Sequence, residues 1–153
     1  PDLRAIVLLR NPPDRAHSEW KMRRRRGLEE RSFRQVVESE IAELKSAGGS
    51  RPASHPYVSR GFYAGQLRRW FAHFPRQRFY IGQSEDFFAA PAQFTRDVFR
   101  FLGLQPSCSG KYDAFMQGQK QAMEPDVRTT LERYYRPHNR ELRALLRRDF
   151  TWT

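Results

Sequence analysis

The sequence predicts an α/β fold, a parallel-sheet core covered by helices, and two stretches carry that prediction. The first is the apolar run A-I-V-L-L at 5–9, halted by Arg10, Asn11, Pro12 and Pro13. Ile and Val in so short a run favour a buried strand over a helix. The second is R-F-Y-I-G at 78–82, which reads as another core strand. Elsewhere apolar residues recur at helical spacing. The 153 residues amount to one domain, 1–153, with chain enough for one modest core.

The elements follow in order. Asn11 is a good helix N-cap, and proline is favoured in a first turn, where its missing N–H costs least. A helix is therefore expected from 12 through the basic run Lys21, Arg23, Arg24, Arg25 and Arg26, with Gly27 as its stop. That run is either a solvated helix end or a lip for an anionic substrate. A second helix is expected over 32–46, capped by Ser32. Phe33, Val36, Val37, Ile41 and Leu44 form its apolar stripe, and Glu38, Glu40 and Glu43 lie on other faces. Gly, Ser and Pro make 47–56 a loop. The next helix, 59–73, presents Phe62, Leu67, Trp70 and Phe71 to the core, with Tyr63 packed. After the second strand, Pro91 opens a helix whose face is Phe94, Val98, Phe99 and Leu102, closed by Gly103. The least regular part is 106–123. A last helix runs over 125–147, broken or kinked near Arg136 by Pro137, and Trp152 packs the tail.

The strand-to-helix corner carries the first chemical signal. Arg10 stands at the carboxyl end of a strand, beside a helix start where unpaired N–H groups and the helix dipole favour anions. Its guanidinium adds a fork that fits phosphate oxygens. Ser18, eight residues on, adds a hydroxyl. The plain alternative is a solvated strand end.

Composition bounds the partners. A net charge of +11, mainly arginine, implies anionic partners without naming them. No Cys/His zinc spacing, ribonucleoprotein aromatic motif or helix-turn-helix pattern stands out. His17, His55, His73 and His138 are scattered, so no metal is expected. Cys108 stands alone and cannot form an internal disulfide. No apolar run approaches the roughly 20 residues of a membrane span.

The stretch L-L-R-N-P-P-D-R-A-H-S-E-W at 8–20 resembles the 3′-phosphate-binding motif of sulfotransferases that use 3′-phosphoadenosine 5′-phosphosulfate (PAPS). Further marks follow in family order. They are Y-V-S-R-G-F-Y-A-G-Q-L-R-R-W at 57–70, S-E-D-F at 84–87 and F-L-G-L at 101–104, then A-M-E-P at 122–125 and Y-Y-R-P-H-N-R-E-L at 134–142. The series is most similar to the carbohydrate branch that includes the heparan sulfate sulfotransferases.

The resemblance implies a P-loop NTPase-like sulfotransferase fold, a nucleotide donor and a carbohydrate-like acceptor, with no metal and no nucleic acid. It implies that Arg10 and Ser18 bind the donor 3′-phosphate. Gly118, Gln119 and Lys120 are the nearest match to the family's nucleotide-wrapping loop, departing from its K-G-R pattern. His55, Tyr57 and Arg60 are candidates for touching the acceptor, and the S-E-D element is expected to support a loop. In the family a Gly-rich loop with a Lys around the 5′-phosphosulfate, and a Glu or His base, precede the R-N-P motif. Only nine residues precede Arg10 here. The expectation is therefore a carboxyl-terminal part of the domain, its catalytic residues upstream of Pro1. The lone cysteine, where the animal heparan enzymes carry a disulfide, suggests a reducing, bacterial cytoplasm. Two other expectations compete: a catalytically incomplete nucleotide binder, and a basic nucleic-acid-binding module.

Overall fold

A computed structural model describes residues 3–46, 56–106 and 121–152. Among them are two strands and six α-helices. These are β1 (Ala5–Leu9), α1 (Pro12–Arg25), α2 (Phe33–Ser46), α3 (Tyr63–Phe71), β2 (Phe79–Gln83), α4 (Ser84–Ala89), α5 (Pro91–Leu102) and α6 (Pro125–Leu146). They group into two compact units, one of residues 3–10 and 66–106, the other of 11–46, 56–65 and 121–152.

The first unit holds the sheet. β1 and β2 pair in parallel, with Ala5 opposite Phe79 and Leu9 opposite Gln83. Gly82 is required at its place, because a Cβ there would lie 2.5 Å from the Phe94 ring of α5. Phe94 also meets Tyr80 edge-on at 5.6 Å. α5 ends at Gly103, whose φ of 75° is the left-handed cap that glycine adopts without strain. One expectation changes: β1 is not buried throughout. Leu9 is buried, but Ile6 and Leu8, which share one face of the strand, are about half exposed. Trp70 is exposed as well. Its ring meets Phe74 at 6.0 Å and Phe79 edge-on at 6.5 Å, while Leu67 of α3 is buried.

The second unit is helical, with a core built from Ala16 and Trp20 of α1, the apolar stripe of α2, Tyr57 and Val58, and Val127, Leu131 and Tyr135 of α6. His17 is structural, stacked on Trp20 at 5.6 Å and tilted against Phe33 at 4.8 Å. Ser32 opens α2 as expected. Its Oγ accepts from the Gln35 N–H, and the Gln35 amide oxygen accepts from the Ser32 N–H, a reciprocal capping box. The helix expected over 59–73 divides into a 3₁₀ turn, Ser59–Gly61, and α3. Of the kink or break expected near Arg136, the break does not occur: α6 is one helix with Pro137 inside it. Trp152 packs the tail against Phe150 at 4.8 Å. No helix among the described residues is long and apolar enough to cross a membrane.

Candidate functional site

Arg10 lies between β1 and the turn into α1, half-buried, and Ser18 lies half-buried on α1. The turn differs from its expected form in two respects. Asn11 occupies the N-cap position, but its side chain makes no capping bond. Its carbonyl instead accepts the Arg15 N–H at 2.9 Å. Pro12 and Pro13 fill the first two helical positions and carry no N–H, so Asp14 is the first residue of the helix with an amide to offer. The start of α1 therefore lacks a row of free backbone amides. Asp14 itself accepts from Arg128 of α6 at 2.6 Å.

The second element is the turn 57–61, held by a carboxylate that the sequence reading set on a face other than the apolar stripe. Glu40 is 5% exposed. Its Oε2 accepts the N–H of Tyr57 at 2.6 Å and of Val58 at 2.7 Å. Its Oε1 accepts the Ser59 N–H at 2.8 Å and the Ser59 hydroxyl at 2.9 Å. Four donors thus satisfy one buried carboxylate. The signal was present: Glu40 lies four residues after Val36 and four before Leu44, on the apolar stripe rather than off it. From α6, the Tyr135 hydroxyl donates to the Val58 carbonyl at 2.7 Å. Gly61 closes the turn where a Cβ would lie 2.6 Å from the Tyr135 ring.

The candidate acceptor residues fall on this turn. Tyr57 is 1% exposed. Its hydroxyl donates to Glu29 at 2.9 Å and accepts from Arg23 Nε at 3.0 Å. Burial, then the bond to Glu29, raises its pKa above the ordinary phenol value. The Arg31 guanidinium, donating to Glu29, holds that carboxyl down at about 2. Arg60 is exposed and donates to Glu19 at 2.6 Å, while Arg15 holds the other Glu19 oxygen at 2.7 Å and also donates to the Tyr57 carbonyl. The Tyr57–Arg60 turn and α1, which carries Ser18, are thus tied by an Arg15–Glu19–Arg60 chain that the sequence reading missed. His55, Gly118, Gln119 and Lys120 lie outside the described residues. In the first unit, Gln83 donates to Asp86 at 2.5 Å, so the carboxylate after β2 braces its own turn.

A family model described as "Sulfotransferase domain" matches residues 1–139. This chain belongs to the sulfotransferase family. Among solved structures, the sulfotransferase from Alicyclobacillus acidocaldarius superposes with a TM-score of 0.77 at 30% identity, over 97% of this chain and 57% of that one. Bifunctional heparan sulfate N-deacetylase/N-sulfotransferase 3 of Homo sapiens is 28% identical over 178 aligned positions, covering 95% of this chain and 19% of that protein. Carbohydrate sulfotransferase 15 of Nototodarus sloanii is 33% identical over 94 positions, covering 54% of this chain and 58% of its own length. This sulfotransferase chain thus spans about a fifth of the bifunctional relative. Its α/β architecture, parallel strands with helices packed on them, is the family's.

Proposed function

We propose that this chain takes part in sulfuryl transfer from PAPS to a hydroxyl or amine of a carbohydrate acceptor, and that Arg10 and Ser18 hold the donor's 3′-phosphate. The observation that supports this reading is the β1–Arg10–Asn11–Pro12–α1 connection, with a guanidinium at the strand end and a hydroxyl on the helix that follows. The two side chains suit a phosphate: a planar fork of N–H donors and one O–H. With both leading residues of the helix being proline, these side chains supply what backbone amides do not.

In such a transfer an acceptor oxygen or nitrogen attacks sulfur, and adenosine 3′,5′-bisphosphate leaves. Residues that grip the 3′-phosphate take no part in bond making. They fix the donor's position, and position is a large share of the barrier in transfers of this kind. The buried Glu40 and Tyr135 bonds would keep the Tyr57–Gly61 turn in one shape, with Arg60 at its exposed edge as a cation for an anionic acceptor.

Calorimetric titration with adenosine 3′,5′-bisphosphate and with 5′-AMP tests the reading. Arg10→Ala is expected to weaken the bisphosphate about 100-fold and Ser18→Ala about tenfold, the worth of a charged and of a neutral hydrogen bond. 5′-AMP, lacking the 3′-phosphate, should change little. Equal losses for both nucleotides would remove Arg10 from this role.

A further inference from the structure

Three of the helices pair opposite charges along their polar faces. Arg15 pairs with Glu19 on α1, Arg34 with Glu38 on α2 and Arg100 with Asp97 on α5. The first half of α6 does the same, with Arg128 near Asp14 and Glu132. The second half does not. Arg133, Arg136, Arg140 and Arg143 are all exposed. At about 100° per residue they share an arc of about 80°, nearly opposite the stripe of Val127, Leu131, Tyr135 and Leu142 that enters the core. Arg147 and Arg148 continue the row past the helix end. Among the described residues Arg143 has a partner, Asp149 at 2.5 Å, while Arg133, Arg136, Arg140 and Arg147 have no ion pair.

Such a row works against the helix that carries it, since like charges three and four residues apart repel. The helix end adds a second observation. Arg147 stands in the left-handed region, φ 49°, where α5 has Gly103 and the turn after α1 has Gly27. An arginine therefore occupies the position at which glycine would be less strained. Beside the row lies an open groove of about 330 Å³ lined by Glu132, Arg136, Asn139, Arg140, Arg143 and Trp152.

We propose that this arginine face of α6 is a docking surface for a linear sulfated or carboxylated polysaccharide, holding a stretch of the acceptor chain away from the bonds being made. The choice of a glycan rests on the carbohydrate reading above; the anionic chemistry rests on the face itself. Guanidinium forks pair with sulfate and carboxylate oxygens. The four helical arginines span about 15 Å, one cation per turn, which suits an extended chain with repeating charge. Trp152 offers an apolar surface to a sugar ring within the same groove.

The test uses the triple variant Arg136→Gln, Arg140→Gln and Arg147→Gln, with folding checked by circular dichroism. Arg143 is left in place because it holds Asp149. Heparin is the sulfated probe, and a short DNA duplex and adenosine 3′,5′-bisphosphate are run alongside. Heparin affinity should fall at least about tenfold, with the slope of log affinity against log salt reduced by about three. Bisphosphate binding should not change. Unchanged heparin affinity in the folded variant overturns the proposal. So does a duplex bound more tightly than heparin and weakened by the same factor, which would make this a nucleic-acid surface. Heparin binding that depends on these arginines, in a chain that binds no bisphosphate, supports the surface while the donor-site reading fails.

Discussion

Two arginine-rich stretches of one unit have been put to opposite uses. At the end of α1, Arg23 donates to the Tyr57 hydroxyl and, at 3.0 Å, to the Leu28 carbonyl. Arg24 reaches the Glu29 and Glu30 carbonyls and lies 5.9 Å over the Trp20 ring. Gly27, in the left-handed region, turns the chain so that these carbonyls face back to the helix. Along the second half of α6, Arg133, Arg136 and Arg140 are exposed and have no ion pair among the described residues, while Arg143 pairs with Asp149. Counting charges would rate the two stretches alike. What separates Arg23 and Arg24 from the α6 row is that the protein's own groups already satisfy their guanidiniums, whereas Arg25 and Arg26, exposed beside them, have no ion pair among the described residues.

The largest break in this contrast comes from the most completely satisfied charge. Glu40→Ala removes the acceptor for three backbone amides and a hydroxyl in a site closed to water. The expected cost is about 3–5 kcal/mol, the range for stranding buried partners of a charge. In a domain whose total stability is of order 5–15 kcal/mol, that would move the urea midpoint far down or abolish folding. Glu40→Gln, which keeps the shape and one acceptor oxygen, should cost less. A loss under about 1 kcal/mol for the alanine variant would mean that the Tyr57–Ser59 amides find other partners.

Glu40 also marks where sequence reading stops. The strands and the helices other than α4 were legible because they depend on local pattern: β1 on its Ile-Val run, α2 on its stripe and Ser32, α5 on Pro91 and Gly103, whereas Ser84–Ala89 was read as supporting a loop and is helical. Arg10 and Ser18 were singled out as a spacing within one motif, and their role is the proposal made above. Glu40 was misjudged because a residue's charge was allowed to outweigh its phase. The Arg15–Glu19–Arg60 chain was invisible because its members come from 15–19 and from 60, and no local rule brings those together. Pro137 leaves α6 unbroken for a different reason. A proline breaks a helix on its own account, but here it lies between Tyr135 and Leu142, both sealed in the core, and that packing outweighs one lost backbone bond.

A finer test sets the two arginine rows side by side. Arg23→Ala and Arg24→Ala each remove donors to carbonyls and should each cost about 1 kcal/mol in urea unfolding. Arg136→Ala and Arg140→Ala should stay within about 0.5 kcal/mol, as exposed substitutions without partners do. They could even stabilise slightly by relieving repulsion. If the α6 pair cost as much as the α1 pair, the α6 arginines would be structural, and the contrast drawn between the rows would fail.

The smallest expected effect concerns a charge that α6 avoids making. His138 stacks on Phe62 with ring centroids 3.8 Å apart. Burial lowers its pKa below the ordinary value, against the opposite pull of nearby Glu141. The folded chain therefore takes up a proton less readily than the unfolded one. Stability from this group is fully present above about pH 6.5 and is lost as pH falls below that, until the folded imidazole also protonates. Midpoints measured from pH 7.5 down to 5 should decline in the native sequence. In His138→Phe, which keeps the aromatic stack and cannot titrate, the decline should be shallower. Parallel curves for the two proteins would mean that the imidazole is as easily protonated in the folded chain as in the unfolded one, and that the Phe62 stack tolerates a cation.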